Sequence, residues 1–231
     1  MERFASWFLR LDRRYVYLLI AVVITIPLLK PFNLPIVPTD KVKNIYDHIE
    51  GLPTGSAVLL SNDYDPATEA ELFPMTQALL THCFRKGHRV FLMTLFPQGT
   101  GTAEKALNLV SKKFGKKSGT DFVFLGYQPG SALIIRRMVK NLQPIFPKAF
   151  YGQPTKEMPV FQGVSGLKDF GLAGCLSGTG IVSSWIVYGQ GPSEGKMAAG
   201  GTAVMATELY PFLDTRQLIG MMGGLKGAAE Y

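Results

Sequence analysis

Residues 57–126 read AVLLSNDYDPATEAELFPMTQALLTHCFRKGHRVFLMTLFPQGTGTAEKALNLVSKKFGKKSGTDFVFLG. Three short apolar runs stand out in it: Ala57–Ser61, His88–Leu95 and Asp121–Gly126. Each is bounded by turn residues, the pattern of a buried strand. Between them lie two helical segments. The first opens at Asp65-Pro66, with Asp65 as the expected N-cap, and runs to Lys86, where Gly87 supplies the stop. The second covers Thr102–Phe114 and stops at Gly115. Strand, helix, strand, helix, strand with short connections predicts parallel strands and right-handed crossovers. Runs that are apolar on both faces predict a sheet covered by helices on each side.

The pattern extends outward. A helix is predicted over Ser131–Leu142. Residues 144–170 interrupt the alternation with Pro144, Pro147, Pro154 and Pro159, and an insertion of that length predicts a functional or interaction surface. A strand follows at Leu172–Leu176, a helix at Gly180–Tyr188, a strand within Lys196–Ala206, best placed at Thr202–Ala206, and a helix at Glu208–Met222. Upstream, Val42, Ile45 and Ile49 mark a short amphipathic helix closed by Gly51. The expected fold is α/β: a doubly wound, three-layer, mostly parallel sheet over residues 38–231. The chain ends on GMMGGLKGAAEY without a stop signal, so the natural chain is expected to continue past Tyr231.

Ahead of the domain, YVYLLIAVVITIPLL at Tyr15–Leu29 carries no charge. A membrane-spanning helix needs about 20 apolar residues, and this run approaches that length if it continues toward Phe32, Leu34 and Ile36. No small-residue cleavage site follows, so an uncleaved signal-anchor is the expectation, with residues 15–37 as one transmembrane helix and its Pro-rich exit. Arg3, Arg10, Arg13 and Arg14 precede the run and only Lys30 follows closely. The N-terminus is therefore expected in the cytoplasm and the domain on the extracytoplasmic side. Within residues 1–14, Phe4, Trp7, Phe8 and Leu11 share one helical face, suited either to the headgroup layer or to the cytoplasmic end of one longer helix.

Composition excludes little beyond disorder: 47% hydrophobic, 18% charged, net charge +7. Residues 101–150 hold nine cations against Glu104 and Asp121. Lys112, Lys113, Lys116 and Lys117 crowd the end of the second helix, and this corner is expected to meet anionic lipid or an acidic partner. No nucleic-acid motif accompanies the charge, and nucleic acid is not an expected partner. Cys83 and Cys175 show no metal or redox spacing and read as buried free thiols. His48, His82 and His88 lack ligand spacing, so neither a metal site nor a cofactor is expected.

In parallel sheets, ligands bind beyond the carboxyl ends of the strands. The candidates there are Asn62, Asp63, Gln98, Tyr127, Gln128, Ser177, Thr179 and Glu208. SGTG at Ser177–Gly180 is a tight turn into a helix, without the full glycine pattern of a dinucleotide or P-loop site. LLSNDYDPAT resembles the first motif of the haloacid-dehalogenase-like phosphohydrolases. The resemblance implies Asp63 as nucleophile, Asp65 as general acid, Thr94 as the phosphate-binding hydroxyl and Mg²⁺ beside them. It covers about ten residues. The motif's threonine is displaced to Thr68, and no later strand ends in the paired acids that complete the metal site.

The expectation from these readings is a single-pass membrane protein whose domain serves as a scaffold, assembly or binding subunit of a membrane complex, without catalysis. The alternative is a membrane-anchored, metal-dependent hydrolase acting at Asp63 and Asp65.

Overall fold

The computed structural model describes residues 12–30 and 35–231. It divides into two compact units, residues 1–37 and 38–231. The aromatic face expected at Phe4, Trp7, Phe8 and Leu11 lies outside the described residues, as do Arg3, Arg10, Phe32 and Leu34.

In the first unit, α1 covers Arg13–Leu29, 17 residues with Pro27 inside and no buried residue. Asp12 caps it by accepting from the Arg14 N–H at 3.0 Å. A rise of 1.5 Å per residue makes it about 25 Å long. No helix among the described residues is long and apolar enough to cross a membrane.

The second unit is a six-stranded sheet, β1 (Ala57–Asp63), β2 (Arg89–Thr94), β3 (Phe122–Tyr127), β4 (Leu172–Ser177), β5 (Met197–Gly201) and β6 (Gly220–Gly223). Its order is β3-β2-β1-β4-β5-β6 and every pairing is parallel. This is the Rossmann-like arrangement, with the strand order reversing between β1 and β4. The helices are α2 (Asp40–Gly51), α3 (Glu69–Arg85), α4 (Gly99–Lys113), α5 (Ser131–Met138), α6 (Ile181–Trp185, continued by a π-turn over Ile186–Gln190), α7 (Ala206–Asp214) and α8 (Gly224–Glu230). A single turn, Gly191–Ser193, ends the α6 segment. Residues from α2, α3 and α4 build the core on one face of the sheet, and residues from α5, α6 and α7 build it on the other.

Alternating strand residues feed the two cores. Val58 and Leu60 of β1 enter one, Ala57 and Leu59 the other. The glycine stops act as the sequence implied. After α3 the His88 N–H bonds the Cys83 carbonyl and the Gly87 N–H that of Phe84. After α4, Lys116 and Gly115 repeat the arrangement on Ser111 and Lys112. Both glycines have positive φ, and both ends are Schellman motifs.

Several expectations are corrected. α3 starts at Glu69, not Asp65: Asp65 Oδ1 accepts from the Thr68 N–H and hydroxyl, each at 3.1 Å, and so caps a turn ahead of the helix. α5 ends at Met138 rather than Leu142. The fifth strand lies at Met197–Gly201, not Thr202–Ala206, and Val204 is exposed. The reason is local crowding. A Cβ on Gly200 would lie 2.3 Å from Leu176 Cδ2 and 2.9 Å from Met75 Sδ, so only the small-residue run fits beside β4. The predicted helix over Glu208–Met222 is α7 followed by β6.

The 144–170 segment is largely a cover for the core. Phe146, Val160, Phe161, Val164, Leu167 and Phe170 are buried. Phe161 and Phe170 grip Phe91 edge-on, with ring centres 4.9 and 5.0 Å away. The Phe150 N–H bonds the Phe124 carbonyl at 2.9 Å and so covers the open edge of β3.

Candidate functional site

The reversal point between β1 and β4 is where this fold binds ligands, and Asp63 sits at the end of β1 beside it. Its side chain shares the face of Ser61, which leaves the alternate residue, Asn62, on the opposite face. Neither is reached by solvent.

Donors surround the Asp63 carboxyl group. Oδ1 accepts from the Leu95 N–H at 2.6 Å, with the Thr94 hydroxyl at 3.5 Å. Oδ2 accepts from the Ser61 hydroxyl at 2.7 Å, the Trp185 indole N–H at 3.2 Å and the Cys175 thiol at 3.5 Å. The Thr94 proton goes to the Phe96 carbonyl at 2.8 Å, so the donors are four, from β1, the residue after β2, β4 and α6. Burial pushes the Asp63 pKa up, and the donors pull against that. The same burial, with Asp63 alongside, raises the Cys175 thiol well above its usual range. Cys83 is pushed to about 12 by burial. Both cysteines are free, buried and unreactive by this measure.

The other face is closed as well. Asn62 Nδ2 donates to the Tyr64 hydroxyl at 3.2 Å, which meets the Thr76 hydroxyl at 2.9 Å. Tyr64 is pushed to about 12 by burial. A Cβ on Gly99 would lie 2.4 Å from the Asn62 carbonyl oxygen, so the start of α4 rests directly on the end of β1. A Cβ on Gly178 would lie 2.8 Å from Thr68 Cγ2. The loops after β1 and β4 therefore touch across the reversal point, and the crevice is filled.

The remaining candidates scatter. Ser177 is buried, donates to the Asp63 carbonyl at 2.9 Å and accepts from the Thr179 N–H at 3.0 Å, so SGTG closes on itself. Gln128 donates weakly to the Ile145 carbonyl at 3.4 Å. Gln98, Tyr127, Thr179 and Glu208 are exposed. Of the lysine corner, Lys116 pairs with Asp121 at 3.4 Å, and Asp121 also accepts from the Lys117 N–H at 2.8 Å. Lys112 and Lys113 lie in the last turn of α4, where cations suit the helix dipole.

The phosphohydrolase resemblance does not fit this geometry. A nucleophilic Asp needs an open oxygen, and both Asp63 oxygens are engaged and enclosed. Asp65 faces Thr68. No group of three or more His, Cys, Asp or Glu among the described residues could hold a metal ion. Trp185, Ser61 and the Leu95 N–H were not singled out by sequence, and Cys175 only as a buried thiol, although an Asp ending an apolar strand signals that buried donors must exist.

A second polar cluster lies between α2, α3 and the end of α8. His82 Nε2 faces Glu50 Oε1 at 3.2 Å and its Nδ1 faces the Tyr231 hydroxyl. Lys86 and Arg85 also reach Glu50, at 2.8 and 3.7 Å. An ionised Glu50 only accepts, so Nε2 carries the proton and Nδ1 accepts from Tyr231. His88 donates from Nε2 to the Ile49 carbonyl, leaving a buried bare Nδ1. Burial holds both histidines below their ordinary value of 6.5. The hydrogen bond from Lys86 leads in holding Glu50 below 4.5.

These shifts fix a pH response. Well above pH 6.5 both histidines are neutral folded or unfolded. Below it the unfolded chain takes up protons that the fold resists, so stability falls as pH drops from 6.5 toward the lowered folded values. Glu50 adds a further loss below 4.5. Denaturant titrations from pH 8 to 5 should show a loss with a limiting slope of about 1.4 kcal/mol per pH unit per histidine. His82→Gln with His88→Gln should flatten the profile between pH 7 and 5.5. A profile unchanged by that pair assigns the response elsewhere.

The chain matches no family model, and no curated protein or solved structure compared with it matches.

Proposed function

We propose that this chain is a membrane-attached α/β domain that serves as a scaffold, assembly or binding subunit of a membrane complex rather than as an enzyme. One observation carries the reading: the reversal point of the sheet is filled, and its buried carboxyl group, Asp63, is engaged by four donors, from β1, the residue after β2, β4 and α6. A domain of this architecture that closes its ligand crevice keeps its outer surfaces for work. Attachment is supported by α1. From Tyr15 to Leu29 it exposes large apolar side chains without a charge, for example Leu19 at 64% and Leu29 at 81%. Apolar area costs about 25 cal/mol per Å² in water, and lipid removes that cost. In this proposal residues 15–37 form a single-pass anchor, with the N-terminus cytoplasmic and the domain on the other side.

The decisive test is Mg²⁺ with inorganic phosphate or a phosphomonoester on the full chain in mild detergent. A ligand that binds the folded state alone raises its melting temperature. No shift and no turnover are expected, while partner proteins should co-purify. Phosphate release that Asp63→Asn abolishes would replace this reading with the hydrolase.

Removing residues 1–37 should yield a soluble, folded domain, because residues 38–231 form their own compact unit. Sedimentation and near-ultraviolet circular dichroism check this. An aggregated or unfolded product in every buffer would make the N-terminal segment part of the fold rather than an anchor.

A further inference from the structure

The outer face of the α5 and α6 pair differs from the rest of the domain. Residues 131–140 and 181–193 contain three cations and no acid. Leu133, Arg136, Arg137 and Lys140 recur at helical spacing and form one exposed stripe. The two helices pack closely: a Cβ on Gly189 would lie 2.9 Å from Ile135 Cγ2. Val187 and Tyr188 immediately precede Gly189 on the π-turn of α6. Leu133, Val187 and Tyr188 are 55%, 56% and 41% exposed. Arg136, Arg137 and Lys140 make no ion pair among the described residues. Arg137 and Lys140 line an open cleft of about 450 Å³ with Ile134, Pro144 and Ile145 on its walls. The acids of this layer sit outside the pair, at Glu157 and Asp169 in the 144–170 segment, where the Asp169 carboxylate is taken up by the Ser165 and Gly166 N–H groups, at Glu194, and on α7 at Glu208 and Asp214. On the opposite layer α2, α3 and α4 carry acids interspersed with their cations.

We propose that the α5/α6 face docks on the surface of an anionic phospholipid bilayer. Unpaired cations meet the phosphates there, while Leu133, Val187 and Tyr188 enter the headgroup boundary. Exposed apolar groups interleaved with cations, and no acid to repel the surface, are what such a bilayer complements. A rigid tyrosine suits that boundary, with its ring in the apolar layer and its hydroxyl in water. An acidic protein would satisfy the cations, but would leave Leu133 and Val187 without an apolar partner unless it were itself amphipathic. The lysine corner of α4 is a weaker candidate, because Lys116 is already paired. This inference rests on the proposed membrane attachment, which makes the bilayer a permanent neighbour.

The test uses the full chain with one added thiol, since Cys83 and Cys175 are buried and resist labelling. Ser183→Cys on α6 carries a polarity-sensitive dye, and Leu109→Cys on α4 carries it on the opposite layer. Each is reconstituted with vesicles of phosphatidylcholine alone or with about one-third phosphatidylglycerol. Flotation reports attachment and the dye reports docking, so the two readings fail separately. The expected result is flotation with both vesicles and a blue shift at 183 only with phosphatidylglycerol, reversed by salt. The shift should vanish in R136Q/R137Q/K140Q with an unchanged melting temperature. A dye at 183 that ignores phosphatidylglycerol overturns the inference. So does an equal shift at 109, or a lipid-free shift that grows with protein concentration and marks a second copy. Failure to float on phosphatidylcholine overturns attachment through α1, and a phosphatidylglycerol-dependent shift at 183 would then still uphold the docking face.

Discussion

Asp63→Ala is expected to destabilise the domain by about 2–5 kcal/mol, a large share of the 5–15 kcal/mol that holds a domain folded. The cost comes from the groups left behind. The Ser61 hydroxyl and Cys175 thiol can turn to new acceptors, but the Leu95 N–H and the Trp185 indole N–H are fixed in direction. Each buried donor without a partner costs about 1–3 kcal/mol, and the emptied space adds to it. Asp63→Asn is a finer probe. Its amide places an N–H₂ where one carboxylate oxygen stood, so one of the two fixed donors faces another donor. A loss of about 1–3 kcal/mol follows. An aspartate that merely shaped the turn after β1 would make the Asp63→Asn change almost free. The structure shows otherwise: the side chain points into the core, and Asp65 shapes the turn. Trp185→Phe removes the indole donor, so Asp63→Asn in that background should cost less than it does alone. Denaturant melts of the four proteins measure the coupling. An Asp63→Ala protein within about 1 kcal/mol of the parent would show that the network contributes nothing.

How legible this was in the sequence depends on which signal each element used. β1 to β4 announce themselves, because they are buried on both faces and flanked by turn residues. The ends of α3 and α4 are marked by Gly87 and Gly115. The end of α7 is formed in the same way, with the Gln217 N–H on the Phe212 carbonyl and the Arg216 N–H on that of Leu213. There, however, the left-handed position is occupied by Arg216 at φ 58°. No glycine marks the stop, so the apolar spacing of 208–222 reads as one long helix. β5 and β6 are MAAGG and GMMG, without a β-branched or aromatic residue. Glycine and alanine are poor strand formers in isolation, and the reason for them is the packing of neighbours, which a sequence does not display.

The candidate site was legible by position and not by state. The rule that ligands sit at the carboxyl ends of strands located Asp63, Asn62 and Ser177 beside one another. It could not tell an open crevice from a closed one. That distinction depends on Trp185, which arrives from the helix after β4, and on Gly99 and Gly178, whose missing side chains let the loops touch. These are contacts between residues about 40 to 120 positions apart, Gly99 with Asn62, Gly178 with Thr68 and Trp185 with Asp63, and no local pattern carries them.

Gly220→Ala decides whether β6 exists. Read as the interior of a helix over 208–222, the change should stabilise by about 1 kcal/mol, since alanine is the better helix former. As the first residue of β6 the same change has the opposite sign. A Cβ there would lie 2.2 Å from the Lys41 carbonyl oxygen and 2.6 Å from Ile45 Cγ1. The first is backbone of α2 and cannot swing away, and Ile45 is wholly buried in the core. α2 must therefore lift from the sheet edge, and overpacking of this kind costs about 1–3 kcal/mol, sometimes more. Gly51→Ala, at the end of α2, is the matched control: nothing lies within 4 Å of its added carbon. It should be neutral or stabilise by up to about 1 kcal/mol. The expected result is a clear drop in denaturation midpoint for Gly220→Ala beside little change or a gain for Gly51→Ala. Loss of amide protection across Ala198–Gly201, which pairs with β6, would place the damage at the sheet edge. A Gly220→Ala chain more stable than its parent would remove β6, and with it the closed edge against which α2 packs.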